Sequence, residues 1–338
     1  MDLNILWFIL VAVLYVGFFF LEGFDFGVGM LLPFLAKRDE ERRAIINTIG
    51  PHWDGNEVWL VTAGGATFAA FPNWYATLFS GFYLGFFLLL LTLIFRGVAF
   101  EFRSKIGSLK WRATWDAAIS ISSFLAPFLL GVVFTNIVTG VPIDGNQVYT
   151  GGFSTLLNPL AIMGGLAVVA VFMLHGANFL SLKLSDVLHE RAVKTAASFW
   201  WTTLAMAAVY LAWLVLAAPV FVQKGFPAMI LPILAALALL ASRLFISSKR
   251  EGWAFVMSGL TVIFTVAGLF VALFPNVMIS STSADFNLTI YNASSSPYTL
   301  KIMTIVACVL LPVVLAYQVW TYVVFKKRIK TDAKTLTY

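Results

Sequence analysis

Acidic side chains inside apolar segments are the residues of this sequence most able to do chemistry. Glu22 and Asp25 interrupt the apolar run LEGFDFG at positions 21–27. Because they are three residues apart, a helix would present both on one face. A charge at the centre of a bilayer costs about 2.5–3.5 kcal/mol on insertion scales. Two carboxylates close together in a low dielectric tend to share a proton, so this pair indicates proton chemistry.

A second carboxylate pair, Asp54 and Glu57, lies in the motif PHWDGNEVW at 51–59. Their spacing again places them on one helix face. Pro51 is suited to a first helical turn, so the pair is expected near a helix end. The alternative interpretation is structural, because carboxylates in a first turn favourably meet the positive end of the helix dipole.

Together the two pairs predict a series of proton-binding groups at increasing depth. Asp54 and Glu57 are expected near the cytoplasm. Asp25 lies ten residues, or about 15 Å, before the expected helix end near Leu35, with Glu22 deeper still. Such a series predicts a cytoplasmic proton-entry path. Arg96 is a candidate counter-ion, with snorkelling to the interface as the alternative.

Metal and haem chemistry have little support in this chain. The three histidines, His52, His175 and His189, form no paired arrangement, although His52 or His175 could in principle ligate a haem. Cys308 stands alone in an apolar run, where it is expected to be a small buried hydrophobe. The sequence contains no phosphate-binding loop, nucleophile elbow or zinc-ligand spacing. We therefore predict no cofactor or metal bound by this chain alone.

The elements that must position these residues are membrane helices. Hydrophobic residues make up 60% of the 338 residues and charged residues only 11%, compared with about 25% charged in soluble domains. One crossing needs about 20 apolar residues. The sequence predicts an all-α integral membrane protein with one polytopic domain over 1–338. We expect nine transmembrane helices at about 4–35, 51–71, 74–98, 115–138, 158–181, 199–221, 227–246, 253–274 and 299–325.

The distribution of positive charge predicts the orientation. Every Lys and Arg except Lys224 and Lys301 falls in the loops of one side or in the C-terminal tail. Basic residues accumulate on the cytoplasmic side of membrane proteins, so we expect the N-terminus outside and the C-terminus in the cytoplasm. The net charge of +6 is explained by this asymmetry, and no nucleic-acid partner is indicated. The first segment lacks a basic region and a cleavage site, so it is expected to be a permanent helix.

Four ordered blocks resemble one known family. They are EGFDFGVGM at 22–30, GPHWDGNEVWLVTAGGATFAAFP at 50–72, FRGVAFEFRSK at 95–105 and LTIYNASSSPYTLK at 288–301. These blocks, which run through the whole chain, resemble subunit II of the cytochrome bd quinol oxidases.

The resemblance implies a heterodimeric terminal oxidase in a prokaryotic cytoplasmic membrane, which oxidises quinol and reduces oxygen to water. It implies that subunit I binds two b haems and one haem d, and that this chain is haem-free. It also implies two four-helix bundles plus one peripheral helix. Membrane lipid and quinol are expected to contact the complex. The sequence leaves open whether small single-helix accessory subunits attach.

The resemblance also suggests roles for individual residues. Asp25 and Asp54 fall on the aspartates of the GFD and WDG motifs, which the family associates with proton delivery near the subunit interface. Arg96 falls on the FR motif and Trp53 on the WDG motif, and with His52 they are expected to give structural or electrostatic support.

Two other functions remain open from the sequence. The main alternative is a proton-coupled secondary transporter that uses Glu22 and Asp25 as its coupling site. A third interpretation is a structural scaffold for subunit I. The scaffold predicts that Asp25→Asn and Asp54→Asn leave turnover intact, whereas a proton path predicts its loss.

Overall fold

The computed structural model describes residues 2–330 and Leu336, and these residues are almost wholly α-helical. Two short strands lie between the last two helices. The helices are α1 (Leu3–Leu35), α2 (Asp39–Ile49), α3 (Trp53–Ala70), α4 (Pro72–Gly81), α5 (Tyr83–Phe102), α6 (Leu109–Thr139), α7 (Phe153–Leu156), α8 (Pro159–Lys183), α9 (Asp186–Ala217), α10 (Pro219–Lys224), α11 (Phe226–Ser247), α12 (Glu251–Leu273) and α13 (Pro297–Val324).

Eight of the described helices are long and apolar enough to cross a membrane: α1, α5, α6, α8, α9, α11, α12 and α13. The segment expected to be the second crossing forms the helix α3, but α3 is not among these eight. Its first turns contain Asp54, Asn56 and Glu57, which lower its hydropathy. The structure therefore shows a multi-span helical membrane protein.

Three parts of the predicted helix pattern are wrong. The helix expected over 199–221 is the second half of the longer α9 and, after a non-helical Ala218, the start of α10. The segment expected as one helix over 74–98 is divided into α4 and α5 at Phe82, whose backbone (φ −100°, ψ 20°) is not helical. The segment 36–50, expected as a loop, contains the amphipathic helix α2. It begins with Asp39, whose negative charge suits a helix N-terminus. Its apolar side chains, among them Ile45 and Ile49, are buried.

Capping side chains explain where several helices begin. The hydroxyl of Ser108 accepts a hydrogen bond from Trp111 N at the start of α6. Asn158 and Ser296 do the same at the starts of α8 and α13, with donor–acceptor distances of 2.9 and 3.2 Å. Such caps satisfy backbone N–H groups that have no partner in the first helical turn.

Helix α1 is the central element, since it packs against α3, α6, α8 and α12. Its approach to α8 is very close, and glycines make it possible. A Cβ atom added to Gly27 would lie 2.0 Å from the carbonyl oxygen of Phe172, and one added to Gly176 would lie 2.5 Å from the carbonyl carbon of Gly27. The spacing of Gly23 and Gly27 thus reflects helix packing, as small residues do in membranes.

The two long loops at one end of the molecule pack on each other. The strand β1 (Asn276–Met278) pairs antiparallel with β2 (Leu288–Thr289). Val141, from the other loop, donates its N–H to Ile279 O and accepts one from Ser281 N. These backbone bonds hold the loops over the ends of the helices, away from the carboxylates.

Helix α13 is the most exposed of the long helices. Only Leu300 is buried among its residues, because α13 touches the rest of the chain mainly through α1 and α3. Cys308 lies on this helix and is exposed. The expectation that Cys308 is buried is therefore wrong for the described chain.

Candidate functional site

Helix α1 places Glu22 and Asp25 in the protein interior, where neither side chain is exposed. They lie on the part of α1 that faces α3 and α5, the two helices that contain the other charged groups of the site. Their separation of three residues gives them a common face, as expected for a helix. Two fully buried carboxylates require compensating partners, because an isolated buried charge is very costly.

Arg96 of α5 is the cation of this site and is itself completely buried. Its Nη1 atom lies 3.0 Å from Glu22 Oε2 and 3.3 Å from Glu22 Oε1, and only the second contact has hydrogen-bond geometry. The same Nη1 lies 3.4 Å from Glu57 Oε2. Arg96 therefore joins carboxylates from α1 and α3.

Two aromatic rings complete the surroundings of the Arg96 guanidinium. Its central carbon lies 4.6 Å from the ring centroid of Phe26 and 5.3 Å from that of Phe100. Cation–π contacts of this kind attract a guanidinium that has lost its water. They fix the head group between α1 and α5, where it faces the carboxylates.

Asp25 has a different partner from Glu22. Its Oδ2 atom accepts a hydrogen bond of 2.7 Å from the side-chain amide of Asn56, which is also buried. The carbonyl oxygen of Asn56 accepts from Tyr322 OH at 2.8 Å and from Gln318 Nε2 at 3.2 Å. The side-chain amide of Asn56 thus connects helix α13 to Asp25.

Several buried polar atoms of the site retain hydrogen-bonding capacity. Within the described residues, Asp25 Oδ1 and the Nε and Nη2 atoms of Arg96 have no hydrogen-bond partner. Unsatisfied buried polar atoms are rare in native structures and often mark functional sites. These atoms leave the site able to bind a further proton or polar molecule.

The four predicted carboxylates do not form one cluster. Glu22 and Glu57 both contact Arg96, whereas Asp25 is joined to α3 by its hydrogen bond with Asn56. Asp54, in the first turn of α3, is exposed, whereas 20% of the Glu57 side chain is exposed. Exposure thus decreases from Asp54 through Glu57 to Glu22 and Asp25.

His52 and Trp53 lie at the start of α3, beside the site. The His52 ring stacks on Tyr322 with a centroid distance of 4.3 Å and an interplanar angle of 3°. The Trp53 ring contacts Phe100 at 5.2 Å, and its far edge would meet a Cβ atom at Gly97. Trp53 therefore packs on a ring that contacts Arg96, and His52 packs on the tyrosine that donates to Asn56.

The buried histidine of α8 has the contacts of a packed interior residue. His175 is fully buried, its Nδ1 atom bonds Ser258 Oγ at 2.8 Å, and its ring stacks on Phe255 at 4.7 Å. Among the described residues, no group of three or more His, Cys, Asp or Glu side chains is arranged to hold a metal.

A separate ionic network lies beyond the site, where α2, α5 and α6 meet. Arg103 is 1% exposed and pairs with Asp116 and, at 2.7 Å, with Asp39. Arg42 and Arg112 bind the outer oxygens of the same two aspartates. This network anchors α2 to α6 and to the end of α5, the helix that contains Arg96, and no sequence pattern identified it.

Sequence reasoning also missed Asn56, Gln318 and Tyr322. Asn56 lies between the two carboxylates of its motif, and an uncharged amide lacks the high insertion cost that makes a carboxylate conspicuous in a membrane helix. Gln318 and Tyr322 are four residues apart on an otherwise apolar helix, so they share a face. That spacing is a usable signal for a polar contact inside a membrane.

Comparisons with known proteins agree with one another. The family model described as cytochrome bd terminal oxidase subunit II matches residues 3–325. The chain is 46% identical to the cytochrome bd ubiquinol oxidase subunit 2 of Bacillus subtilis (strain 168), over 100% of this chain and 99% of that protein. It is 40% identical to the cytochrome bd-I ubiquinol oxidase subunit 2 of Escherichia coli (strain K12), over 95% of this chain and 93% of the relative.

A solved structure shares the fold. A chain of the bd oxidase from Geobacillus thermodenitrificans superposes with a TM-score of 0.78, covering 96% of this chain and 98% of that one. Its sequence identity is only 17%, so this likeness concerns the fold alone.

Proposed function

This chain belongs to the cytochrome bd terminal oxidase subunit II family, and from that premise we propose that it is the haem-free subunit that delivers cytoplasmic protons to a quinol-oxidising, oxygen-reducing partner. The family forms part of an oxidoreductase complex of the bacterial respiratory chain, located in the cytoplasmic membrane. The partner is subunit I, where we place the two b haems and the haem d. Quinol is the proposed electron donor, and oxygen is reduced to water.

The proposed topology has nine crossings within a single domain over 1–338, with the N-terminus outside and the C-terminus in the cytoplasm. The ninth crossing would be α3, whose Asn56 is buried against Asp25 of α1 and whose Glu57 pairs with Arg96 of α5. Helices α1, α3, α5 and α6 would form one four-helix bundle, and α8, α9, α11 and α12 the other. The packing of α8 on α9 and α12, and of α11 on α9 and α12, supports the second group, while α1 and α6 also pack closely on α8. Helix α13 would be the peripheral helix, since it touches the rest of the chain mainly through α1 and α3.

The proton path is supported by the order of exposure of the four carboxylates. Asp54 would receive protons from the cytoplasm, Glu57 would pass them inward, and Asp25 and Glu22 would hold them in the interior. Glu22 and Glu57 share one guanidinium, and Asp25 is buried on the same face of α1 as Glu22 without a cation of its own within ion-pair distance among the described residues. Full ionisation would therefore leave excess negative charge in a low dielectric. Such a group of residues retains protons and can exchange them.

The supporting residues would act without exchanging protons. Arg96 balances the carboxylates, and Trp53 and His52 pack around the residues that hold them. The haems are placed in the proposed partner, so no redox step is assigned to this chain. The chemistry of this chain is thus limited to binding and moving protons.

The proposal is tested by replacing Asp25 in the intact complex. Asp25→Asn preserves shape but cannot bind a proton, so we expect oxygen consumption to fall on the order of 10²-fold, a typical contribution of a proton-transfer group. Asp54→Asn should cause a smaller loss, because water can replace an exposed carboxylate. The visible haem spectrum of the co-purified partner shows whether the complex has assembled.

Asp285→Asn, which changes an exposed aspartate in a loop, is the matched control and should retain wild-type turnover. Wild-type turnover in Asp25→Asn would favour the scaffold function and contradict the proton path. A folded chain that purifies without any haem-bearing partner would instead favour the secondary transporter.

A further inference from the structure

A continuous chain of side-chain hydrogen bonds leads from Trp59 to Asp25. The indole Nε1 of Trp59 donates to Gln318 Oε1 at 2.8 Å. Gln318 Nε2 donates to Asn56 Oδ1 at 3.2 Å, and Asn56 Nδ2 donates to Asp25 Oδ2 at 2.7 Å. The chain crosses from α3 to α13, returns to α3 and ends on α1.

The direction of this chain is fixed by its first residue. An amide oxygen and an amide nitrogen are hard to distinguish by shape, so their orientation follows from the partners they meet. The indole N–H of Trp59 can only donate. Gln318 must therefore present its oxygen to Trp59 and its NH₂ group to Asn56.

The same reasoning extends to Asn56. Its atom facing Gln318 Nε2 must be the oxygen, because two NH₂ groups cannot hydrogen-bond each other. Tyr322 OH, at 2.8 Å, adds a second donor to that oxygen. The NH₂ group of Asn56 then faces Asp25, and the Asp25 oxygen on that side has to accept.

We propose that Trp59, Gln318, Tyr322 and Asn56 are positioning residues that commit Asp25 Oδ2 to accept a hydrogen bond and reserve Asp25 Oδ1 as the proton-binding atom. Asp25 Oδ1 is buried and has no hydrogen-bond partner among the described residues. A proton on Oδ2 would displace or weaken that hydrogen bond, because a hydroxyl oxygen of a carboxylic acid is a poorer acceptor than a carboxylate oxygen. The carboxyl group therefore gains and releases its proton on one defined side.

This inference rests on the proposed proton path and names the atom at which the path uses Asp25. A carboxyl group that could protonate at either oxygen would aim its proton in two directions. A fixed hydrogen-bond direction removes one of them. Efficient proton transfer depends on this alignment, because a donor must lie within hydrogen-bond reach of its acceptor.

The test uses Trp59→Phe and Tyr322→Phe in the intact complex. Trp59→Phe removes the only donor to Gln318 among the described residues, so Gln318 can turn over. Asn56 is then held only by the Tyr322 hydroxyl, which can accept as well as donate, so Asn56 can turn over too. Infrared difference spectra should then show a broadened or divided carboxyl band for Asp25, identified by its loss in Asp25→Asn. The pH profile of turnover should move by up to about one pH unit towards higher pH, because the ionised carboxylate loses a hydrogen bond.

Tyr322→Phe should have a smaller effect on both readouts, since Gln318 still donates to Asn56. It retains the ring that stacks on His52, so packing is preserved. Gln318→Met is a second variant, in case Trp59→Phe does not fold, because it removes the Gln318 amide group with little change in shape. Its carboxyl band should change at least as much as that of Trp59→Phe.

Trp320→Phe and Tyr317→Phe are matched controls, because both residues are exposed on the same helix α13. They should leave the Asp25 band and the pH profile unchanged. An unaltered band and profile in Trp59→Phe and Gln318→Met would overturn the inference. The proposed proton path would survive that result if Asp25→Asn still stopped turnover, so the two failures are distinguishable.

Discussion

At the scale of single residues, Arg96 provides the positive charge that compensates the buried carboxylates of Glu22 and Glu57. It is the only cation within ion-pair distance of Glu22 and Glu57 among the described residues. A surface pair of this type contributes about 0–1 kcal/mol. A buried pair behaves differently, because removing one partner leaves an uncompensated charge away from water.

We expect Arg96→Leu to destabilise the protein by about 3–5 kcal/mol, because Glu22 would remain buried without a counter-charge. Thermal unfolding of the purified complex measures this loss as a lower Tm. Arg38→Gln is the control, since the Arg38 side chain is 70% exposed and its pair with Glu41 should contribute little. Equal Tm values for both variants would contradict the assigned role of Arg96.

The sequence predicted part of this residue-scale chemistry. Glu22 and Asp25 were recognisable because carboxylates in an apolar helix are costly, and Arg96 because of its position at a helix end. The partnership of Asp25 with Asn56, and of Asn56 with α13, could not be predicted. It depends on contacts between residues far apart in the chain, which no local pattern specifies.

At the scale of elements, the contact between α1 and α8 determines how the site is held. Gly27 of α1 and Gly176 of α8 let the two backbones touch each other. Gly27 lies two residues after Asp25 on α1. Close packing in membranes replaces the hydrophobic driving force that acts in water. The position of α1, and with it the depth of both carboxylates, is therefore set by this contact.

We expect Gly176→Ala to cost about 1–3 kcal/mol, because its methyl group would overlap the backbone at Gly27 and force the helices apart. A lower Tm of the complex checks this expectation. Gly252→Ala in α12 provides the comparison, because nothing lies within 4 Å of a Cβ atom there. A Gly176→Ala protein as stable as Gly252→Ala would show that the helices can separate without cost.

Helix prediction succeeded where the apolar runs were long and failed where they were interrupted. The expected segments for α1, α6, α8 and α12 match helices to within several residues. Helix α2 was missed because DEERRAIINTI is short and polar, and its buried face is apparent only against α1 and α8. The break at Phe82 was missed because α4 and α5 form one continuous apolar run in the sequence.

At the scale of the whole molecule, Glu41 joins three parts of the chain at the end that contains α2. Its Oε2 atom accepts from Lys37 N at 2.7 Å and from Arg191 Nη1 at 2.9 Å. Burial alone would raise the pKa of Glu41, but these hydrogen bonds and that from Arg38 N outweigh it, so its pKa is lowered from 4.5. The end of α1, α2 and α9 are thereby linked through one carboxylate.

A lowered folded-state pKa means that the stabilisation by Glu41 is fully present above about pH 4.5 and is lost as the pH falls through the lower folded value. We expect the wild type to lose stability below about pH 4.5 more steeply than Glu41→Gln, which cannot titrate. Tm measured from about pH 3 to pH 7 tests this. Parallel curves for the two proteins would contradict it.

The membrane class and the distribution of charge were predictable for the whole molecule because they depend on composition. Long apolar segments and basic loops leave few other possibilities. The number of crossings was harder, because the segment 51–71, expected as the second crossing, forms α3, whose polar first turns lower its hydropathy. Asn56 and Glu57 of α3 are bonded by Asp25, Arg96 and α13, and no local pattern in the sequence specifies those contacts.

The contact between α13 and Asn56 has a consequence for how the protein is made. Ribosomes synthesise α1 first, so Glu22 and Asp25 reach the membrane before Arg96 exists to balance them. We expect both carboxyl groups to enter in the neutral form, since a charged one carries the insertion penalty. Gln318 and Tyr322 of α13 are synthesised after all the other residues of this site. The aligned hydrogen-bond chain therefore forms only once α13 has been made, and a chain that stops before α13 inserts its helices without it.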